Sequence, residues 1–388
     1  MPAELTLLRR LRLKGVSTKG VVSMKRGVFF CLPAVLLFFA LTASAALAQD
    51  ASRAPKKIQL TPADAAAAAE AVTVHSHAFA SKTDAGRAFK HSQSPKLSQL
   101  ASRTSARLSE AASSGFDGSD KLRFPGDLTN FFGGPTVGFA QSHPIFMVPI
   151  GGSCPAPSCW GDPLTFLDEY GESGLSHVTD QYVGESGDAR YTLGDAFAIT
   201  YAPTPSTAPL TDANIRAIVH AVASLAGETG YNHVFHVFLP PGQDECFTAA
   251  ATSCYSPDVP ASFVFCAYHS SVTFKDIGHV LYSVEPFQNV LGCQVRAGTV
   301  NGQLIDSTNS TLSHELTETI TDPDGDAWLN FTDNGMFLEE IGDECDLLFI
   351  DPNTLNIFGD PTEFRVGRHR FATQPEYSNE DHGCAVRP

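Results

Sequence analysis

Eight of the nine cysteines lie between Cys154 and Cys384, and nothing else in the sequence restricts its folding as much. Cysteines used this way point to disulfides and an oxidising compartment. The ninth, Cys31, sits in an apolar run from Val28 to Ala45 that follows Lys25 and Arg26 and is closed by Ala46-Leu47-Ala48. Basic residues, an apolar run and a small-x-small site in that order make a cleavable signal peptide. The mature chain then begins at Gln49, Cys31 leaves, and an even number of cysteines remains. Pro33 and the lack of a basic cluster after the run weigh against a membrane anchor of similar length. Whether Met1 or Met24 is the start stays open, and Arg9-Arg10 lies too far upstream for a twin-arginine signal.

Eight cysteines allow about 105 pairings. Proximity favours Cys154–Cys159 and Cys246–Cys254 as short loops, with Cys266–Cys293 and Cys345–Cys384 as longer bridges. No C-x-x-C pair suggests a thiolate metal site. The formal net charge is −16, and seven of the 26 basic residues precede Gln49, so the mature chain is more acidic still. Such a surface repels nucleic acid and anionic membranes. No membrane contact is expected after signal cleavage, and the oligomeric state is not legible.

The texture divides the chain into residues 1–48, the leader; 49–120, an Ala/Ser-rich linker or pro-region; and 121–388, a globular domain. "TPADAAAAAEAV" suits one helix, but the rest of residues 49–120 carries too few apolar side chains to build a core and is expected to be largely disordered. In the globular part, "PIFMVPIGG", "HVFHVFLP", "SFVFCAYHS" and "HVLYSVEPF" have the β-branched and aromatic character of strands. Phe166, Leu167 and Tyr170 share a face of "DPLTFLDEYGE". Ile215, Ile218, Val219, Val222 and Leu225 follow the helical period between a cap at Thr211 or Asp212 and Gly227. The order of elements implies an α+β fold, a mixed sheet backed by helices.

The segment "SHELTETITDPDGDAW", residues 313–328, carries the most chemistry. In a helix, His314 and Glu318 stand at i and i+4 on one face, so an imidazole and a carboxylate can hold one metal. Glu315 can act as general base on a water at that metal. This is the logic of H-E-x-x-H zinc peptidases with a glutamate in place of the second histidine, a harder and more anionic site for which manganese or calcium competes with zinc. "EEIGDEC" offers the missing ligand, Glu340 in preference to Asp343, and His269 is an outside candidate. The blander alternative is an exposed helix end whose His and Glu are merely solvated. Asp322, Asp324 and Asp326 form a further candidate cation site, calcium above all, or a plain Asp-rich turn, since the glutamate that would complete an EF-hand is missing. His233 and His236 lie on opposite faces of a strand and are expected to be structural. No G-x-S-x-G or phosphate-binding loop is present. Asn309 and Asn330 head glycosylation sequons.

Taken together, "FVFCAYHS", "SHELTETITDPDGDAW", "EEIGDEC" and "QPEYSNEDHGC" resemble, in that order, the Exordium-like or phosphate-induced protein family and its bacterial relatives, over roughly residues 140–388. The matching positions are His314, Glu315, Glu318, Thr321, Pro323, Trp328, Glu340, Ile341, Gly342, Asp343 and Cys345. The resemblance implies an extracellular or cell-wall protein, and retention of the His-Glu pair implies the form able to be catalytic. Two functions remain in play. One is a secreted zincin-like metallohydrolase acting on peptides, with His314, Glu318, Glu340 and Asp343 as the ligand pool, zinc as the metal and Glu315 as the base. The other is a non-catalytic extracellular or cell-wall binding module with a structural cation or none.

Overall fold

The computed structural model describes residues 54–81, 83–86, 127–130, 132–152, 154–203, 208–331, 338–346 and 362–388. The expected signal peptide, Cys31 and much of the expected linker lie outside them. Eight strands form the main sheet: β1 (Lys56–Ile58), β2 (Val72–Ala80), β3 (Ala140–Pro149), β4 (Tyr191–Leu193), β5 (Phe197–Tyr201), β6 (Gly230–Phe238), β7 (Phe265–Phe274) and β8 (Gly278–Glu285). Their order is β1-β5-β3-β6-β8-β7-β2, with β4 beside the start of β3. Neighbours from β1 to β8 are parallel, while β7 and β2 are added antiparallel. The mixed sheet expected from the sequence is therefore present.

Both faces of the sheet are buried, as continuous apolar runs require. Ile145 and Met147 of β3 and Phe235 and Val237 of β6 enter one core, against α3 (Asp212–Ala226). Phe146, Val234, Phe238 and Leu281 enter another, against α2 (Pro163–Tyr170) and α4 (Gln303–Thr321). Phe166, Leu167 and Tyr170 are buried as the spacing predicts. Helix α3 starts after Thr211 and ends at Gly227, whose φ of 72° suits a residue without Cβ. Leu225 departs from expectation: it is 63% exposed, on the far side of the last turn.

Within the expected linker, the described residues 54–81 and 83–86 differ from that reading. The Ala-rich stretch is helical, α1 (Pro62–Glu70), but it is packed, and β1 and β2 complete the two edges of the sheet. Asp64 explains the docking. Its Oδ2 accepts from the Thr61 amide at 2.7 Å, capping α1, and its Oδ1 meets His220 Nδ1 of α3 at 2.9 Å. The few apolar residues suffice because Ile58, Ala68, Phe79 and Ala80 join a core made mostly by others.

Helix α4 is unusual in being buried from Asp306 to Thr321 while made largely of Ser, Thr, His and Glu. Several of its hydroxyls turn back onto the helix: Thr319 Oγ1 donates to Glu315 O at 2.7 Å and Thr321 Oγ1 to Thr317 O at 3.1 Å. Those groups need no outside partner. Asn309, in the first sequon, is also buried and closed to a glycan in the folded chain.

Four disulfides join Cys154–Cys159, Cys246–Cys254, Cys266–Cys293 and Cys345–Cys384. Among the described residues, no helix is long and apolar enough to cross a membrane.

Candidate metal centre

Helical spacing puts His314 and Glu318 on the same side of α4, with Nε2 of the first 3.1 Å from Oε1 of the second. The surrounding elements add more ionisable groups. Strand β7 supplies His269, whose Nδ1 lies 3.4 Å from Glu315 Oε2 and 3.5 Å from Glu318 Oε2. The turn around Ile341 brings Glu340 to 3.6 Å from His269 Nε2. His77 of β2 stands directly across from His269 in the sheet, with Nε2 2.9 Å from Asp343 and Nδ1 3.3 Å from Glu340. His314, Glu315, Glu318, His269 and Glu340 have no solvent exposure, and His77, at 19%, is nearest the surface.

The turn must come very close for this to happen. A Cβ on Gly342 would lie 2.4 Å from His314 Nδ1 and 3.0 Å from Glu318 Oε1, so only glycine fits there. The turn is held by Tyr377 N donating to Ile341 O at 3.0 Å and by the Cys345–Cys384 bridge. Gln374 fastens it to the helix, with its side-chain amide 3.0 Å from Gly342 O and 2.9 Å from His314 Nδ1. Phe79 of β2 packs on the other side of the His314 ring, with centroids 4.1 Å apart.

Burial governs the charge states. It pushes the Glu315 carboxyl well above its usual range, reinforced by Glu318 and Glu285. It does the same to Glu340, with Glu318 and Asp322 adding to it, and to Glu376 beside Glu318. Glu318 is the exception: burial opposes its charge, but His314 and His269 outweigh it and hold the group down at about 2. Burial lowers the pKa of His269, favouring the neutral ring that can bind a metal.

Both oxygens of Glu318, Oε1 of Glu315 and Nε2 of His314 have no hydrogen-bond partner of acceptable geometry. Such groups are costly in a protein interior unless something else satisfies them. The donors fit a divalent cation, and two sets have ligand atoms within 4.8 Å of one another: His314, Glu318 and Asp343, and His269, Glu318 and Glu340. Gln374 decides which nitrogen of His314 is available. Gln374 Nε2 faces both Gly342 O, which can only accept, and His314 Nδ1, and in this orientation His314 Nε2 carries the proton and pairs with Glu318. Turning the amide over, at the loss of the Gly342 bond, leaves Nε2 its lone pair for a metal.

The four ligand candidates from the sequence therefore come together, but as two sets rather than one, and His269 moves from the margin to the middle. His77, Gln374, Glu376 and Glu285 had no local signal; their positions follow from β pairing and chain closure. The three aspartates after the helix part company. Asp322 is buried and its Oδ1 accepts from the Ala327 amide at 2.7 Å, while Asp324 pairs with His279 at 3.2 Å and accepts from Tyr231. Asp326 is exposed. His236 is structural, buried between Ser142 and Ser283, and His233 on the other face meets His143 at 3.1 Å.

No protein-family model matches the chain, and comparison with curated proteins and with solved structures finds no match.

Proposed function

We propose that this chain is an exported metallohydrolase acting on peptides, with its centre on α4. The observation that carries the reading is Glu318: fully buried, held ionised between two histidines, and with neither oxygen properly hydrogen-bonded. A carboxylate in that state calls for a cation. His314, Glu318 and Asp343 would hold it, and the nitrogen–carboxylate mixture suits zinc or manganese better than calcium. When bound, the ion polarises a scissile carbonyl and acidifies water. Glu315, next in sequence to His314, takes the proton from the attacking water and returns it to the leaving amine. With a single ion bound, the neutral His269 ring can donate from Nδ1 to Glu315 Oε2, 3.4 Å away. The leader pattern and the four disulfides support export. The motif order fits the Exordium-like family, whose extracellular or cell-wall setting this function would share.

The complete burial of the cluster favours a second reading, a closed structural cation site in an extracellular or cell-wall binding module, because structural metal sites are closed and catalytic ones keep an open position. In the hydrolase reading, β2 must shift at His77 to admit substrate. The deciding experiment is metal analysis of the oxidised chain from Gln49, wild type against His314→Ala, followed by a peptide-hydrolysis screen with Glu315→Gln. Metal lost in His314→Ala, with hydrolysis lost in a Glu315→Gln protein that still binds metal, is the expected result. Metal without hydrolysis in any protein leaves the closed module. Absence of metal from the wild type, even after incubation with zinc or manganese, refutes both forms of the site.

A further inference from the structure

We infer that the centre on α4 takes two divalent cations, with Glu318 as the bridge between them. The inference rests on the metal-centre reading above and adds a second position to it. His314, Glu318 and Asp343 make one position; His269, Glu318 and Glu340 make the other. The two meet on different oxygens of the shared carboxylate. Oε1 of Glu318 faces His314 Nε2 at 3.1 Å, and Oε2 faces His269 Nδ1 at 3.5 Å. A carboxylate committed in this way, one oxygen to each side, suits the separation of about 3.5–4 Å found in two-metal hydrolytic sites.

The neighbourhood leads to the same result. Around Glu318 are Glu315, Glu340, Asp343, Asp322 and Glu376, all buried, so carboxylate oxygens are offered on both sides of the shared group. His77 spans the pair, reaching Asp343 with one nitrogen and Glu340 with the other, so a single ring braces a ligand of each ion. Two adjacent ions would also divide the work of hydrolysis, one orienting the attacked group and the other the water.

The test uses the oxidised chain from Gln49, stripped with chelator and titrated with Mn²⁺ alone. Bound metal is read by elemental analysis after dialysis, and spin coupling by low-temperature electron paramagnetic resonance. Two Mn²⁺ per chain with an exchange-coupled spectrum is the expected result, falling to one uncoupled ion in Glu340→Gln. One ion per chain in the wild type, or two with uncoupled spectra, overturns the bridged pair while leaving the single-metal reading standing. No bound ion overturns both. His143, Glu228 and His233 form the other His/Glu group among the described residues, with His143 Nε2 3.1 Å from His233 Nδ1 and 3.2 Å from Glu228 Oε2. A second ion lost in His233→Ala but kept in Glu340→Gln belongs to that group and also overturns the proposal. The wild-type count and spectrum decide the matter even where a variant folds poorly.

Discussion

Gly342→Ala is the most direct test of how the centre is built. The added methyl would sit 2.4 Å from His314 Nδ1, 2.8 Å from Cε1 and 3.0 Å from Glu318 Oε1. Optimal contacts lie at roughly 3.5 Å, so either the turn or the imidazole must retreat by about 1 Å. The turn has little freedom, being held by the Tyr377 amide, by Gln374 and by the Cys345–Cys384 bridge. The ring is backed by Phe79. Overpacking of this kind costs about 1–3 kcal/mol. A Gly→Ala change free of clash would instead stabilise by about 0.4–1 kcal/mol through the unfolded chain, so the sign itself is diagnostic. Displacing a metal ligand should also weaken metal affinity by roughly 10–100-fold, as loss of a supporting contact does elsewhere. Urea unfolding with and without metal, together with competition against a chromogenic chelator, reads both quantities. A variant as stable as wild type and equal in metal affinity would refute the close approach and the centre built on it.

Three further outcomes are expected. Chelation should lower the urea midpoint of the native chain, since a ligand held at about a thousand times its dissociation constant adds about 4 kcal/mol, and restoring zinc or manganese should reverse the shift. Burial holds the His236 pKa down at about 3, with its ring between Ser142 and Ser283. A folded-state pKa below the unfolded value of about 6.5 gives a contribution that is present above pH 6.5 and lost as pH falls towards 3, so His236→Gln should flatten that acid limb in pH-dependent unfolding. Replacing both Cys345 and Cys384 by Ser should cost about 2–5 kcal/mol and weaken metal binding with it, because the bridge anchors the turn that carries Glu340 and Asp343; unchanged metal affinity would count against that link.

What was legible in the sequence follows from the range over which each signal acts. His314 and Glu318 share a helix, so their juxtaposition depends only on the rise and twist of α4 and could be read directly. The pairings Cys154–Cys159 and Cys246–Cys254 close short loops, and proximity was a sound guide. Glu340 and Asp343 were legible as a ligand pool, but their division between two histidines depends on where a turn more than twenty residues away meets the helix. Residues 56–80 were harder for a different reason. Their few apolar side chains look inadequate alone, yet β1 and β2 borrow a core from the rest of the chain, and pairing of β2 with β7 carries His77 opposite His269. The burial of α4 was the least accessible feature. Composition places Ser, Thr, His and Glu on surfaces, and the helix defies this because several of its hydroxyls donate to carbonyls of its own preceding turn while its ionisable groups meet others brought in from distant chain segments. What distinguishes a solvated helix end from this buried cluster of histidines and carboxylates is therefore the long-range meeting of β2, β7 and the Gly342 turn, which no window of sequence around His314 contains.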